Sequence, residues 1–222
     1  MLDIFEILGP VMVGPSSSHT AGAVRIGQMG RTLLGSDPVQ ADIGLYGSFA
    51  ETGKGHGTDR ALVAGLLGMR TDDLRIPASF DLAKEHKLHF SFRTVQLRDA
   101  HPNTAVLDLV GKDGRTLSMQ AASTGGGRIR VDRLQGVEVN FTGNFHTLVI
   151  RHRDVAGELA DVTRELSRAR VNIANMSLCR ARRGGMALTV IETDQKVPPV
   201  VRQLIRELPG VESLTYYQKE ED

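Results

Sequence analysis

Apolar and polar residues follow clear periods in the last third of the chain. FHTLVIRHR alternates as a half-buried strand does, and GELADVTRELSRARV repeats its apolar residues at helical spacing. The apolar stripe of that helix is Leu159, Val162, Leu166 and Ala169. VNIANMSLCRARR and GGMALTVIETD then follow as two strands that meet at Gly184–Gly185, a hairpin turn signal.

The chain closes with PPVVRQLIRELPG, a helix opened by proline, and with VESLTYYQ, a strand. The resulting order is β-α-β-β-α-β in about 70 residues, which predicts one antiparallel sheet covered by two helices, the ferredoxin-like arrangement. We expect these elements to form a domain of their own over residues 146–222.

The N-terminal part of the chain has a more mixed pattern. Its first predicted elements are the helix AGAVRIGQMGRTLL, the strand VQADIGLYG, the helix GTDRALVAGLLG and a short helix at SFDLAKEH. From KLHFSFRTVQL to GRIRVDRL the pattern is mostly that of antiparallel strands, with a turn at Asp113–Gly114. We therefore predict an α+β protein, in which a mixed α/β domain over residues 1–143 precedes the βαββαβ domain.

Composition and charge exclude two classes of partner. The 222 residues carry 27 basic and 26 acidic side chains, and 5% of them are aromatic, so no basic field for nucleic acid is predicted. Hydrophobic residues make up 41% without an apolar run of about 18 residues, which predicts a globular protein outside the membrane. The first residues, MLDIFEILGP, carry acids where a signal peptide carries bases, and we expect a cytoplasmic protein.

The cysteine content limits metal chemistry. Cys179 is the single cysteine, so no internal disulfide forms, as suits a reducing compartment. A cysteine-ligated zinc or iron-sulfur site takes about three or four thiolates. We therefore predict that this chain alone binds no such metal.

Five polar side chains precede the first predicted helix. They are Ser16, Ser17, Ser18, His19 and Thr20. Hydroxyl groups and the free N–H groups of a helix N-terminus are suited to bind an anion such as a carboxylate. Simple capping is the alternative, but one serine is enough for a cap. We predict an anion-binding cluster.

A second polar stretch, ETGKGHGTDRAL, sets a histidine between two glycines in a predicted turn, just before a helix. The glycines let the backbone approach a ligand or adopt positive φ, and the Thr-Asp pair is suited to capping that helix. A solvated loop histidine is the alternative. Because His19 lies in a similarly polar turn, we expect the two imidazoles to meet in one pocket. The candidate residues are His56, Gly57, Thr58 and Asp59.

Two further turns carry candidate groups. In HPNTA, Pro102 fixes a turn between His101 and Asn103, and in ASTGGGRI three successive glycines expose backbone N–H groups. A turn between strands also explains either stretch. For the glycines we predict the close approach of another backbone or of a ligand.

The C-terminal domain resembles the ACT domain, a small-molecule sensing module attached to amino-acid enzymes. RDVAG keeps the aspartate and glycine of that family's first loop, with alanine in place of its proline, and VNIANMSL resembles the family's second strand. The resemblance implies that a small amino acid binds between this loop and the second strand of a neighbouring copy. The residues concerned are Asp154, Ala156, Gly157, Asn172 and Ile173. A purely dimerising role is the alternative.

Four motifs ahead of the ACT domain, taken in order, resemble the beta chain of the iron-sulfur-dependent L-serine dehydratase. They are GPSSSHTAGAVRIG, YGSFAETGKGHGTDRALVAGLLG, HPNTAVL and STGGGRI. One departure is Ala23, where the family has proline. The resemblance implies a four-iron four-sulfur cluster held by a separate, cysteine-bearing alpha chain, with the catalytic pocket where the two chains meet. It also implies a homodimer through the ACT domain or a dimer of heterodimers.

The implied reaction converts L-serine to pyruvate and ammonia without pyridoxal phosphate. It needs a general base for the Cα proton and a Lewis acid for the β-hydroxyl group. We favour His56 as the base, but the residues alone leave His19 open for that role. Substrate binding is expected from Ser16, Ser17, Ser18, His19, Thr20, Gly57, Thr58, Asp59, His101 and Asn103.

Two other functions are open from the residues alone. One is a non-catalytic, amino-acid-sensing ACT regulatory protein whose N-terminal domain binds an anion. The other is a hydrolase with a serine of the SSS run as its nucleophile, although the chain lacks a G-x-S-x-G elbow.

Overall fold

A computed structural model describes residues 12–14, 16–180 and 182–219. The expectation drawn from the first ten residues lies outside these ranges. The chain divides into two compact units, Met1–Gly136 and Val137–Asp222. The second unit begins ahead of the boundary predicted at residues 143–146, and the domain limits remain a prediction. Within the described residues, every helix is too short or too polar to span a bilayer.

The first unit is built on a sheet whose apolar face is covered by helices. Its elements are α1 (Gly22–Leu34), β1 (Pro38–Tyr46), α2 (Ser48–His56), α3 (Thr58–Leu66), α4 (Ser79–Glu85), β2 (His89–Thr94), β3 (Thr104–Gly111), β4 (Thr116–Gly125) and β5 (Arg128–Leu134), with a π-helical turn at Ser17–Ala21 and a 3-10 turn at Ile76–Ala78. The strands lie in the order β2-β1-β3-β4-β5.

Strand β2 departs from the mostly antiparallel arrangement that the sequence predicted. It pairs parallel with β1, whereas β3 pairs antiparallel with the other edge of β1. Helices α2 to α4 lie between β1 and β2 in the chain. A parallel pair needs such a crossover of a dozen or more residues, and these helices supply it.

The predicted helices are confirmed as α1, α3 and α4, but α2 was not predicted. The stretch that ends at His56 was expected to be a turn, because Gly53 and Gly55 lower helix propensity. Tertiary packing overrides that propensity, since Phe49 in the first turn of α2 is fully buried. The correction moves His56 from a loop to the C-terminal residue of a helix.

Helices α1 and α3 cross with their backbones almost in contact. A Cβ atom on Gly27 would lie 2.8 Å from the Leu66 nitrogen, and one on Gly65 would lie 2.8 Å from the Gln28 nitrogen. Only glycine fits at either position without a shift of the helices. This crossing packs α1 against the helix that follows His56.

The second unit has the predicted βαββαβ order after a first strand. Its elements are β6 (Val137–Thr142), β7 (His146–Arg153), α5 (Glu158–Arg168), β8 (Ile173–Arg180), β9 (Met186–Thr193), α6 (Pro199–Arg206) and β10 (Val211–Tyr217). Strands β10-β7-β9-β8 form an antiparallel sheet in that order. On α5, Val162 and Leu166 are fully buried and Leu159 is half-buried, as is Ala169 directly after the helix. The hairpin turn before β9 is confirmed, with φ of 72° at Gly184.

Candidate functional site

His19 lies in the π-helical turn that leads into α1. Ser16 caps this turn: its hydroxyl oxygen accepts a hydrogen bond from the His19 backbone N–H at 3.2 Å, and its carbonyl oxygen accepts one from Thr20. No side chain caps α1 itself. The serine run therefore does cap, as the alternative interpretation held, but it caps the turn before the helix. The Ser17 carbonyl oxygen accepts the N–H of Gly22.

Four hydroxyl groups surround the His19 imidazole. Nδ1 lies 3.1 Å from Ser18 Oγ and 3.4 Å from Ser16 Oγ. On the other side of the ring, Nε2 lies 3.1 Å from both Ser48 Oγ and Thr52 Oγ1. Sequence analysis missed Ser48 and Thr52. Their spacing of four residues puts both side chains on one face of a helix. The spacing therefore indicates a shared site only if α2 is helical, and the sequence predicted a turn there.

His56 lies beside His19, as the sequence predicted. The two ring centroids are 5.1 Å apart and the rings are tilted by 47°. Gly57, with φ of 70°, ends α2 and begins α3, so the second imidazole is presented by the last turn of a helix. His56 is exposed, whereas His19 is half-buried.

The environment of His19 disfavours its charged form. Burial lowers the pKa of the imidazole below its ordinary value of 6.5, the neighbouring His56 lowers it further, and the Ser48 backbone carbonyl raises it less. The net direction is downward, which favours the uncharged imidazole at neutral pH. An uncharged imidazole can accept a proton or a hydrogen bond.

The described residues leave space around the two glycines that flank His56. Among them, a Cβ atom on Gly55 or on Gly57 would meet nothing within 4 Å. The closely packed glycine of this stretch is Gly47, which has φ of 55°. A Cβ atom there would lie 2.7 Å from the Pro102 carbonyl oxygen. The HPN turn therefore packs against the start of α2.

His101 and Asn103 are held within their own turn. His101 Nδ1 accepts the Asn103 N–H at 3.1 Å, and the Thr104 hydroxyl donates to the His101 carbonyl oxygen at 2.7 Å. The Asn103 carbonyl oxygen accepts the N–H of Ser123. Among the described contacts, none joins the His101 or Asn103 side chain to either imidazole, and their role in substrate binding remains a prediction.

Two predicted site residues turn their hydroxyl groups inward. Thr20 is 3% exposed and Thr58 fully buried, and neither hydroxyl has a hydrogen-bond partner among the described residues. Thr58 does not cap α3, whose cap residue is Gly57. The Asp59 carboxylate accepts the N–H of Arg60 at 2.8 Å. The substrate roles of these three side chains stay predictions.

The three successive glycines form the turn between β4 and β5. Their φ values are 96°, 60° and 74°, a conformation that favours glycine. Among the described residues, no other backbone lies close to Gly125, where a Cβ atom would meet nothing within 4 Å, and the approach of a ligand stays a prediction. Arg25 of α1 donates to the Gly127 carbonyl oxygen at 3.0 Å and so attaches this turn to the helix.

In the second unit, Asp154 attaches the loop after β7 to the hairpin between β8 and β9. Its Oδ2 accepts hydrogen bonds from the Gly184 N–H at 2.9 Å and from Arg180 Nη1 at 2.6 Å. The Gly184 hydrogen bond, followed by Arg180, lowers the pKa of Asp154. Ala156 and Gly157 of the same loop are exposed.

Asn172 and Ile173 lie at the opposite end of that sheet. Ile173 pairs with Thr193, whereas Arg180 pairs with Ala187 near the Asp154 loop. Strand β8 has eight residues, which separates the two ends by more than about 20 Å. Asn172 instead donates a hydrogen bond to Asp194. Within one chain, the loop and the second-strand residues do not meet.

The donor set of this chain does not fit an iron-sulfur cluster. Cys179, the single cysteine, lies on β8 in the second unit. Across the described ranges, no three His, Cys, Asp or Glu side chains are grouped as metal ligands. A four-iron cluster takes about four cysteine thiolates.

Comparison with known proteins adds two family matches. The family model described as serine dehydratase beta chain matches residues 1–88, a range that includes both imidazoles of the site. The ACT domain model matches residues 146–210.

Similar proteins extend these matches over nearly the whole chain. The Bacillus subtilis (strain 168) protein named "Probable L-serine dehydratase, beta chain" is 39% identical over 212 residues, which cover 96% of this chain and 96% of the relative. The L-serine dehydratase beta chain of Peptoniphilus asaccharolyticus is 36% identical over 212 residues, which cover 95% of this chain and 94% of the relative. L-serine dehydratase 2 of Escherichia coli (strain K12) is 39% identical over 82 residues, or 34% of this chain and 18% of that protein.

Proposed function

The chain belongs to the family of L-serine dehydratase beta chains, and we propose that it is the beta subunit of an L-serine ammonia-lyase that converts L-serine to pyruvate and ammonia. Similarity over almost the full length to two such beta chains supports this activity. The observation that carries the proposal is the pair of imidazoles, His19 and His56, with ring centroids 5.1 Å apart in a polar setting.

The reaction removes the Cα proton of serine, and we assign that step to His56. The residue is exposed at the end of α2, so its ring is free to reach a substrate. His19 has hydroxyl groups on both ring nitrogens and is half-buried, which suits a binding residue better than a base that must exchange protons with water. Aminoacrylate released by the elimination tautomerises and hydrolyses in water to pyruvate and ammonia.

The hydroxyl groups of Ser16 and Ser18 are proposed to bind the substrate carboxylate. Both are partly exposed and lie beside His19. A hydroxyl group that caps a turn or contacts an imidazole can rotate its hydrogen toward an anion. Two further predicted residues, His101 and Asn103, lie in the turn that packs on Gly47 and would form a more distant part of the same site.

The family is that of iron-sulfur enzymes, and we propose that the cluster belongs to a cysteine-bearing alpha chain. The name beta chain in the relatives implies such a partner. One cysteine in this chain cannot supply the thiolates. The Lewis acid that the departing hydroxide needs would then come from the partner, while this chain binds serine and accepts the proton. We further propose a cytoplasmic location, where thiols stay reduced.

For the ACT unit, we propose binding of a small amino acid between two copies of the chain. The Asp154 loop and Asn172 lie at opposite ends of one sheet, so a site made of both requires a neighbouring copy. A homodimer through this unit, or a dimer of heterodimers, would provide it. Regulation further requires that the ligand bind the active and inactive states with different affinity.

An anaerobic assay of pyruvate formation from L-serine tests the proposed function. Three samples are compared: this chain, an iron-reconstituted alpha chain, and their mixture. We expect activity in the mixture alone. If the mixture is inactive although the cluster is intact and the chains associate, the chain is not a dehydratase subunit and a non-catalytic sensor becomes the better account.

A further inference from the structure

The ring of His19 lies between two sets of hydroxyl groups, and only one ring nitrogen of a neutral imidazole carries a hydrogen. Ser48 and Thr52 contact Nε2, and Ser16 and Ser18 contact Nδ1. Which nitrogen can accept a hydrogen bond from substrate therefore depends on where the hydroxyl hydrogens point.

The hydroxyl hydrogen of Thr52 is used in a hydrogen bond within α2. Its hydroxyl donates to the Ser48 carbonyl oxygen at 2.8 Å, one turn earlier on α2. Toward His19 it can present only a lone pair, at 3.1 Å from Nε2. A bare Nε2 would set lone pair against lone pair, whereas an Nε2–H donates to Thr52 Oγ1.

The Ser48 side of the ring agrees with this assignment. An Nε2–H can share its hydrogen between Ser48 Oγ and Thr52 Oγ1, both at 3.1 Å.

The Nδ1 side offers donors. The Ser18 hydroxyl lies 3.1 Å from Nδ1 and 3.2 Å from Ser16 Oγ, and it can donate its hydrogen to either atom. Ser16 Oγ accepts the His19 backbone N–H and also keeps its own hydrogen. Either hydroxyl can therefore donate to the Nδ1 lone pair.

We propose that Ser48 and Thr52 are positioning residues that hold His19 in the Nε2–H tautomer and direct its Nδ1 lone pair toward Ser16 and Ser18. Nδ1 then accepts a hydrogen bond from a donor group of the substrate, its ammonium or hydroxyl group, while the serine hydroxyls bind the carboxylate. The substrate part of this inference rests on the proposed function. The tautomer does not.

The first test is the nitrogen-15 NMR spectrum of the full chain at neutral pH, with the His19 signals identified by their loss in His19→Gln. We expect a hydrogen on Nε2 and none on Nδ1. Thr52→Val removes the acceptor while keeping the shape of the side chain, and it should give a mixture of tautomers. Thr52→Ser keeps the hydroxyl group and should restore the wild-type spectrum. A hydrogen on Nδ1 in the wild type, or a spectrum unchanged in Thr52→Val, overturns the proposal.

A second test uses the complex with the alpha chain. Loss of one oriented hydrogen bond should lower kcat/KM about tenfold in Thr52→Val, and Thr52→Ser should recover most of it. Equal losses in both variants would mean a packing role and contradict the proposal. The NMR result does not depend on activity, so an inactive wild-type complex with the expected tautomer would count against the proposed function alone.

Discussion

The polar turn at His19 and the loop at Asp154 both lead into a helix, yet their side chains are engaged differently. The uncharged form of His19 is favoured, and its ring contacts four hydroxyl groups and lies beside a second imidazole. Asp154 is charged and binds a guanidinium group and a backbone N–H of its own unit. Neutral hydroxyl partners can turn to a ligand, whereas an arginine partner is lost only at the cost of an ion pair. The hydroxyl groups around His19 can therefore turn to a ligand, whereas the Asp154 carboxylate is held by contacts within its own unit.

Removing the exposed imidazole of His56 is the strongest test of the chemical role assigned to the first site. His56→Ala should lower turnover of the complex about a hundredfold or more, because a general base contributes that much. The stability of the chain should hardly change, since the side chain is exposed. Steady-state kinetics with L-serine measure the effect.

His89→Ala is the matched control for that experiment. His89 is also an exposed histidine of the first unit, on edge strand β2, and its removal should leave turnover unchanged. Near-normal turnover in His56→Ala would transfer the role of base to His19 or to the partner chain.

Substitutions of two glycines, one before α2 and one within it, test which contacts hold α2 and its histidine in place. Gly47→Ala places a Cβ atom 2.7 Å from the Pro102 carbonyl oxygen at a φ of 55°, and should cost roughly 2 to 4 kcal/mol of unfolding free energy. Gly55→Ala lies within α2 in open space and should stabilise the chain by up to about 1 kcal/mol.

Urea unfolding followed by circular dichroism measures both changes. Opposite signs support a site whose position depends on the contact between the HPN turn and α2. A loss of stability in Gly55→Ala would instead mean that the space around His56 is restricted.

The smallest expected effect concerns Asp154. Because the folded pKa of this carboxylate is lowered from 3.8, its contacts stabilise the second unit above that pH and are lost as the pH falls through the folded value. Asp154→Asn should therefore lower the urea midpoint at about pH 7 and leave it unchanged near the acid limit of the native state.

Asp161→Asn provides the comparison, since its partner Arg164 is exposed one turn away on α5. Such a pair contributes little, and the midpoint should stay close to that of the wild type. A wild-type midpoint for Asp154→Asn at neutral pH would show that the contacts with Arg180 and Gly184 add little to the stability of the second unit.

Much of the fold was readable from local patterns. In the second unit, strand alternation, helical stripes and glycine turns agreed with one another, and the βαββαβ order followed. In the first unit, the prediction of a turn at α2 was wrong. Two glycines in this stretch indicate a turn, but the burial of Phe49 stabilises a helix. The parallel pairing of β2 was equally invisible, because edge position depends on contacts between distant strands.

The sequence by itself determined which groups are present: the serine run, the two histidines, the ACT motifs and the single cysteine, where a four-iron cluster takes about four. Only the tertiary structure decided what those groups do to one another. It brought Ser48 and Thr52 to His19 and turned Thr20 and Thr58 into the interior. The physical reason is that hydrogen bonding and burial depend on distances of a few ångströms between residues about thirty positions apart, which no local pattern encodes.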